Sequence, residues 1–192
     1  MSSSDELETI RHDREFILYR GVRQIRTDGS LCSVLVLTPA SVRPAPETLR
    51  RMEHEFSLQA ELDPAWAVRP LGLASHQGRS ALLLEDPGGE PLDQLLGTPM
   101  DLGLFLRLAV GLAAALGKLH RRGVIHKDIK PPHLLVNAAT GQVWLTGFGI
   151  ASRLQRERQA PGPPETIAGT LAYMAPEQTG RMNRSIDSRS DL

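Results

Sequence analysis

The chain has 192 residues, 41% of them hydrophobic, which suits one domain with a real core. Its 22 acidic residues balance 22 basic ones, so no chain-wide field favours nucleic acid or an acidic membrane surface. The single cysteine, Cys32, excludes an internal disulfide framework, reads as a small core residue in an apolar run, and fits a reducing cytoplasm.

Residues 1–13 are polar and acidic; they read as a flexible lead and not as a signal peptide. Apolar runs then alternate with the turn signal TDGS and predict antiparallel strands, the last over Leu31–Leu37. Pro46 can open a helix over 46–61, where Leu49, Met52, Phe56 and Ala60 recur at helical spacing. AVRPLGLASHQGRSALLLED predicts two strands around an HQGR turn, and PGGEPLDQLL a loop and a short helix. Asp101 caps a longer helix with Leu104, Leu108, Leu112, Leu116 and Leu119 on one face. Its most apolar part, 108–117, is shorter than the roughly 20 residues that span a bilayer, so a buried helix is expected. Short strands at Leu134–Val136 and Val143–Leu145 flank an NAATG turn, and QRERQAPGPPETIAG reads as a surface segment. The order is strand-rich first and helix-rich after about residue 92.

Four motifs follow in order: HKDIKP at 126–131, GFG at 147–149, GTLAYMAPE at 169–177 and DSRSD at 187–191. With their spacing, the chain from about residue 16 onward resembles a Ser/Thr protein kinase domain. More narrowly, 169–192 resembles the kinase-like domain that opens large bacterial hybrid sensor proteins, ahead of ATPase-like, sensory and histidine kinase modules. The resemblance implies an α+β, two-lobed kinase-like fold. A small β-rich lobe would span 14–86 and a partial helical lobe 87–192, C-terminally truncated just after the activation segment.

The resemblance also assigns positions. Asp128 stands where the family has its proton acceptor, two residues after His126, with Lys130 placed to meet the transferred phosphate. Thr170 matches the Thr that contacts both. Glu85, Asp86 and Pro87 match the hinge that faces an adenine ring. Asp191 matches the Asp that braces the catalytic loop. Glu177 matches a Glu whose Arg partner would lie beyond Leu192. Thr166 is either a phosphorylation site or a plain polar loop residue.

Other positions depart from the pattern. Mg²⁺ wants hard oxygen donors, yet its two ligand positions hold His133 and Gly147, so no metal is expected. The strand that should carry a phosphate-anchoring Lys is uncharged, and the first Lys of the chain is Lys118. Only Arg26 or Arg43 offers a replacement cation, and Glu55, the helix Glu, lacks its Lys. YRGVRQIRTDG has only Gly21 and Gly29 in place of a glycine-rich loop.

Phosphoryl transfer is mostly positioning and charge neutralisation, and these are the parts altered. The expected function is therefore a pseudokinase: a cytoplasmic regulatory module acting through protein partners or downstream sensor modules, without nucleic acid or membrane. No cofactor is required; weak, metal-independent ATP binding stays open. The alternatives are an active Ser/Thr kinase moving phosphate from ATP to protein hydroxyls, or a non-functional remnant.

Overall fold

A computed structural model of the chain describes residues 7–24, 31–76, 78–153, 169–180 and 185–192. The fold is α+β with two lobes. In the first, strands β1 (Glu8–His12), β2 (Phe16–Gln24), β3 (Leu31–Pro39), β4 (Pro70–His76) and β5 (Arg79–Glu85) form an antiparallel sheet in the order β1-β2-β3-β5-β4. The flexible lead expected over 1–13 is corrected at 8–12. That segment pairs along β2 and buries Ile10 and Arg11.

Helix α1 (Pro46–Ser57) crosses behind the sheet. Pro46 occupies its first turn, where a missing N–H costs nothing. The helix stops four residues short of the expected end, because the amides of Leu58 and Gln59 bond the carbonyls three residues back. That tightening closes the last turn. Thr48, Met52 and Glu55 face inward.

The second lobe begins with β6 (Glu90–Pro91), which pairs with β8 (Leu134–Asn137), itself paired with β9 (Gln142–Leu145). Helix α2 (Leu102–Arg121) packs on this sheet; β7 (Val124–Ile125) and β10 (Ser152–Arg153) pair beneath it. Asp101 caps α2 as expected, its carboxylate accepting from the Leu104 amide at 3.0 Å. Leu108, Ala115, Leu116 and Leu119 are buried in the lobe's core. On the opposite face Leu102, Phe105, Leu106 and Val110 are each more than half exposed. The helix is also longer than its most apolar run: by length and composition its 20 residues suffice to cross a membrane. It is the one long helix among the described residues of this lobe, so the helical lobe is incomplete in this chain.

The lobes share a core. Ile10, Leu18, Leu35, Leu37, Met52, Val68, Leu82 and Leu84 of the first lobe cluster with Leu135 and Trp144 of the second. Leu18, Leu35 and Leu135 are fully buried. Backbone bonds stitch the same seam: the Val68 amide donates to the Leu145 carbonyl at 2.8 Å, and the Leu145 amide to the Trp66 carbonyl at 3.0 Å. Leu135→Ala should therefore destabilise the whole chain by about 2–5 kcal/mol. Guanidinium unfolding should show this as one shifted transition. An unshifted midpoint, or separate melting of one lobe, would contradict a shared core.

Candidate active site

A 3-10 turn near the end of the chain positions the catalytic loop. The Asp191 carboxylate accepts the amides of His126 at 2.9 Å and Lys127 at 2.8 Å, and lies 2.8 Å from His120 Nε2. Burial opposes its charge, yet these hydrogen bonds together hold its pKa below the usual range. They also hold Lys127 at φ +70°, a left-handed conformation that is costly for a side-chain-bearing residue. Gln178 Nε2 donates to the Lys127 carbonyl at 2.7 Å and pins it from the other side. Nearby, Ser190 Oγ donates to Glu177 at 2.6 Å.

His126 is fully buried, with its ring 4.7 Å from that of Phe148. Its Nε2 lies 3.0 Å from the Thr146 carbonyl and its Nδ1 3.3 Å from the Asp128 amide, which fixes the Nε2–H tautomer. Burial keeps it neutral by lowering its pKa. It supports the loop from behind. In front, Asp128, Lys130 and Thr170 converge. Lys130 Nζ is 2.9 Å from the Asp128 carboxylate and donates to Thr170 Oγ1 at 2.7 Å. The Thr170 amide closes the ring by donating to Asp128 at 2.9 Å.

The two metal-ligand positions interlock. Gly147 has φ +81°, and a Cβ there would meet three atoms of the His133 ring at 2.8 Å. The imidazole fills the space a side chain at 147 would need. His133 Nδ1 lies 2.8 Å from the Asp128 carbonyl. Burial, then Arg11, Lys130 and His126, hold its pKa well below the ordinary value, so the ring is neutral. The nearest carboxylate, Asp128, is already paired with Lys130. This donor set does not fit Mg²⁺, and no step through a metal follows from it.

Arg43, one of the two expected candidates, is not among the residues that line the cleft. Arg43 is exposed and its amide bonds Ser41; Arg26 lies outside the described residues. From β3, uncharged Leu37 lines the cleft. Arg11 of β1 reaches in instead. It is 7% exposed, and its Nη1 donates to the Pro132 carbonyl at 3.0 Å. Burial lowers its pKa, against the pull of Asp13, Glu55, Asp93 and Asp128. The sequence hides this residue because a β-bulge between Thr9 and Arg11 breaks the alternation, so Ile10 and Arg11 both point inward.

Glu55 is buried opposite. Its Oε1 has no hydrogen-bond partner among the described residues. Burial pushes its pKa up to about 7, against the Phe148 amide, Arg11 and the Gly147 amide.

The remaining expectations divide. Gly21 lies inside β2 opposite Val34 and not in a turn. Gly29 and Thr166 lie outside the described residues, as does most of QRERQAPGPPETIAG. The turn over the cleft is β1–β2, Asp13-Arg14-Glu15, and has no glycine. It roofs a cavity of about 520 Å³ lined by Arg11, Asp13, Glu55, Asp128, Lys130 and His133 among others. The hinge residues Glu85, Asp86 and Pro87 lie outside that lining. Glu85 pairs with Arg69 at 2.6 Å, and its amide bonds the Arg69 carbonyl. Asp86 pairs with Arg20 at 3.0 Å. Pro87 has no N–H to offer a ligand. The hinge is thus engaged with the protein itself.

Glu55 carries a pH signature. Its carboxyl shifts from 4.5 to about 7 on folding. The stability tied to its proton is therefore fully present below about 4.5 and is lost as pH rises through about 7. Glu55→Gln should be nearly neutral at pH 5 and stabilising by roughly 1–3 kcal/mol at pH 8. His126 and His133 weaken both proteins alike in acid, so they cancel in the difference. Urea melts at the two pH values check this; equal differences at both would refute it.

Residues 33–192 match the protein kinase domain family. The chain is 30% identical over 167 residues to Serine/threonine-protein kinase Pkn1 of Myxococcus xanthus, covering 85% of this chain and 24% of that protein. It is 33% identical over 147 residues to Serine/threonine-protein kinase pkn2 of the same organism, covering 74% and 17%. It is also 30% identical over 161 residues to the peroxide stress-activated histidine kinase mak2 of Schizosaccharomyces pombe, covering 74% and 7%. The chain spans less than a quarter of each of these relatives. With the two-lobed fold and the Asp128–Lys130–Thr170 cluster, the match over 33–192 establishes that the chain belongs to the protein kinase domain family.

Proposed function

We propose that this domain is a pseudokinase, a kinase fold that regulates by contact and does not transfer phosphate. The observation that carries the reading is the make-up of the cleft's lining. Uncharged Leu37 is what β3 brings to the cleft, the His133 ring covers Gly147, and Leu18, Leu35 and Leu135 are fully buried in one cluster across the lobes. Losing one electrostatic stabiliser typically costs about 10²–10³ in rate. Here the Lys, both metal ligands and the glycine loop are altered together. A kinase rate of about 1–100 s⁻¹ would fall toward background, although such losses do not add simply.

The setting belongs to the same proposal. The stretch 169–192 resembles the leading domain of bacterial hybrid sensors, and mak2, named as a histidine kinase, aligns over only 7% of its length. A small domain relaying state to neighbouring sensor modules or other proteins in the cytoplasm fits both. One observation favours the active-kinase alternative: the intact hydrogen-bonded cluster of Asp128, Lys130 and Thr170.

Calorimetry with ATP, with and without Mg²⁺, decides between the two. The wild type is expected to give no binding heat and no phosphate transfer to a generic protein substrate. The Gly147→Asp/His133→Asn double variant should stay silent as well, because β3 still carries no Lys. Gly147→Asp alone should lower the melting temperature by collision with His133. Tight, Mg²⁺-dependent binding by the wild type, with transfer, would put the active kinase ahead.

A further inference from the structure

The β1–β2 hairpin carries charges of both signs into the cleft. Asp13 lies at its turn, and its Oδ1 accepts the amides of Glu15 and Phe16, each at 2.8 Å. In a phosphate-binding loop, such amides point at an anion. Here the anion is the chain's own carboxylate. Its second oxygen is 3.7 Å from Arg11 Nε. The guanidinium in turn lies among Glu55, Asp93 and Asp128, which are acidic groups from both lobes.

The hairpin is also anchored on three sides. Arg11 bonds the Pro132 carbonyl of the catalytic loop. Gln94 Nε2, in the second lobe, donates to the Ile10 carbonyl at 3.1 Å. Glu15 receives Arg51 at 2.7 Å and Thr48 at 3.1 Å from α1. β1 thus bonds directly to the opposite lobe. Of the cavity's other cations, Lys130 is matched by Asp128 and Arg51 by Glu15, while Arg14 is exposed.

We propose that the β1–β2 hairpin is a built-in clasp over the cleft: Asp13 stands in for a bound phosphate and Arg11 for its counter-cation, and together they hold the lobes closed without ligand. This deepens the non-catalytic reading and rests on it. It explains how the Asp128–Lys130–Thr170 ring and α1 keep an assembled arrangement with no anchoring Lys. The hairpin fixes both from above, and a partner would read that fixed shape. Opening the hairpin would be the step that switches it.

Two variants of the full chain test this. Arg11→Met keeps the aliphatic stem and removes the charge. Asp13→Asn alters a side chain that is 36% exposed, so the fold should tolerate it. Hydrogen exchange is read at the amides of 8–16 and 133–136, and inorganic pyrophosphate is the binding probe. Arg11→Met should speed exchange at both segments at least tenfold and move the Glu55 titration to higher pH. Asp13→Asn keeps an acceptor for the two amides but removes the negative charge from the cavity and from beside Arg11; it should bind pyrophosphate at least tenfold more tightly than wild type. If Arg11→Met does not fold, the Asp13→Asn comparison decides alone. Wild-type exchange and wild-type pyrophosphate affinity in Asp13→Asn would overturn the proposal. These comparisons contain no ATP. Mg²⁺-dependent ATP binding by the wild type would instead sink the non-catalytic reading, so the two failures are distinguishable.

Discussion

Burying a guanidinium between two lobes is a demanding constraint, and much of this site follows from it. An isolated buried charge costs several kcal/mol unless counter-charges and acceptors surround it. Arg11 has both: the Pro132 carbonyl, and four carboxylates drawn from the β1–β2 turn, α1, the second lobe's first turn and the catalytic loop. The same charge shapes its neighbours. It helps keep His133 neutral, and it moderates Glu55, whose burial would otherwise raise its pKa further. Each of these groups depends on where β1 ends.

Architecture and chemistry separate cleanly here. Asp191 still holds the backbone of His126 and Lys127, His126 still supports the loop, and Asp128, Lys130 and Thr170 still meet. None of that requires nucleotide. At the two positions expected to touch metal stand Gly147 and His133, which pack against each other. Lys127 illustrates the division. Its left-handed backbone costs stability, and two side chains, Asp191 and Gln178, maintain it at a position where the loop's shape is what survives.

The sequence made some of this readable and hid the rest, for physical reasons. Pro46, Asp101 and the leucine spacing of α2 signal helices through local rules, and the helices are there. HKDIKP and DSRSD place the loop and its brace because those roles need fixed residue types at fixed spacing. The glycine loop was misplaced because the segment was matched by its glycines, while the turn that covers the cleft, Asp13–Glu15, uses a carboxylate to satisfy its amides. Arg11 was missed because the bulge at Ile10 destroys strand periodicity, so a buried Arg reads as part of a polar lead. The ties at Glu85 and Asp86 depend on partners 16 and 66 residues away, a long-range pairing that no window reveals.

The interlock of His133 with Gly147 has an evolutionary consequence. Restoring an acidic residue at 147 first would drive its Cβ into the imidazole at 2.8 Å. Changing His133 first would remove the ring that fills the space beside Gly147, with no function yet regained. Neither single step improves on its starting point, so the two positions are epistatic, and selection acting one mutation at a time meets a valley. A side chain at 147 and the imidazole at 133 thus exclude one another, and each position is free to change only once the other has.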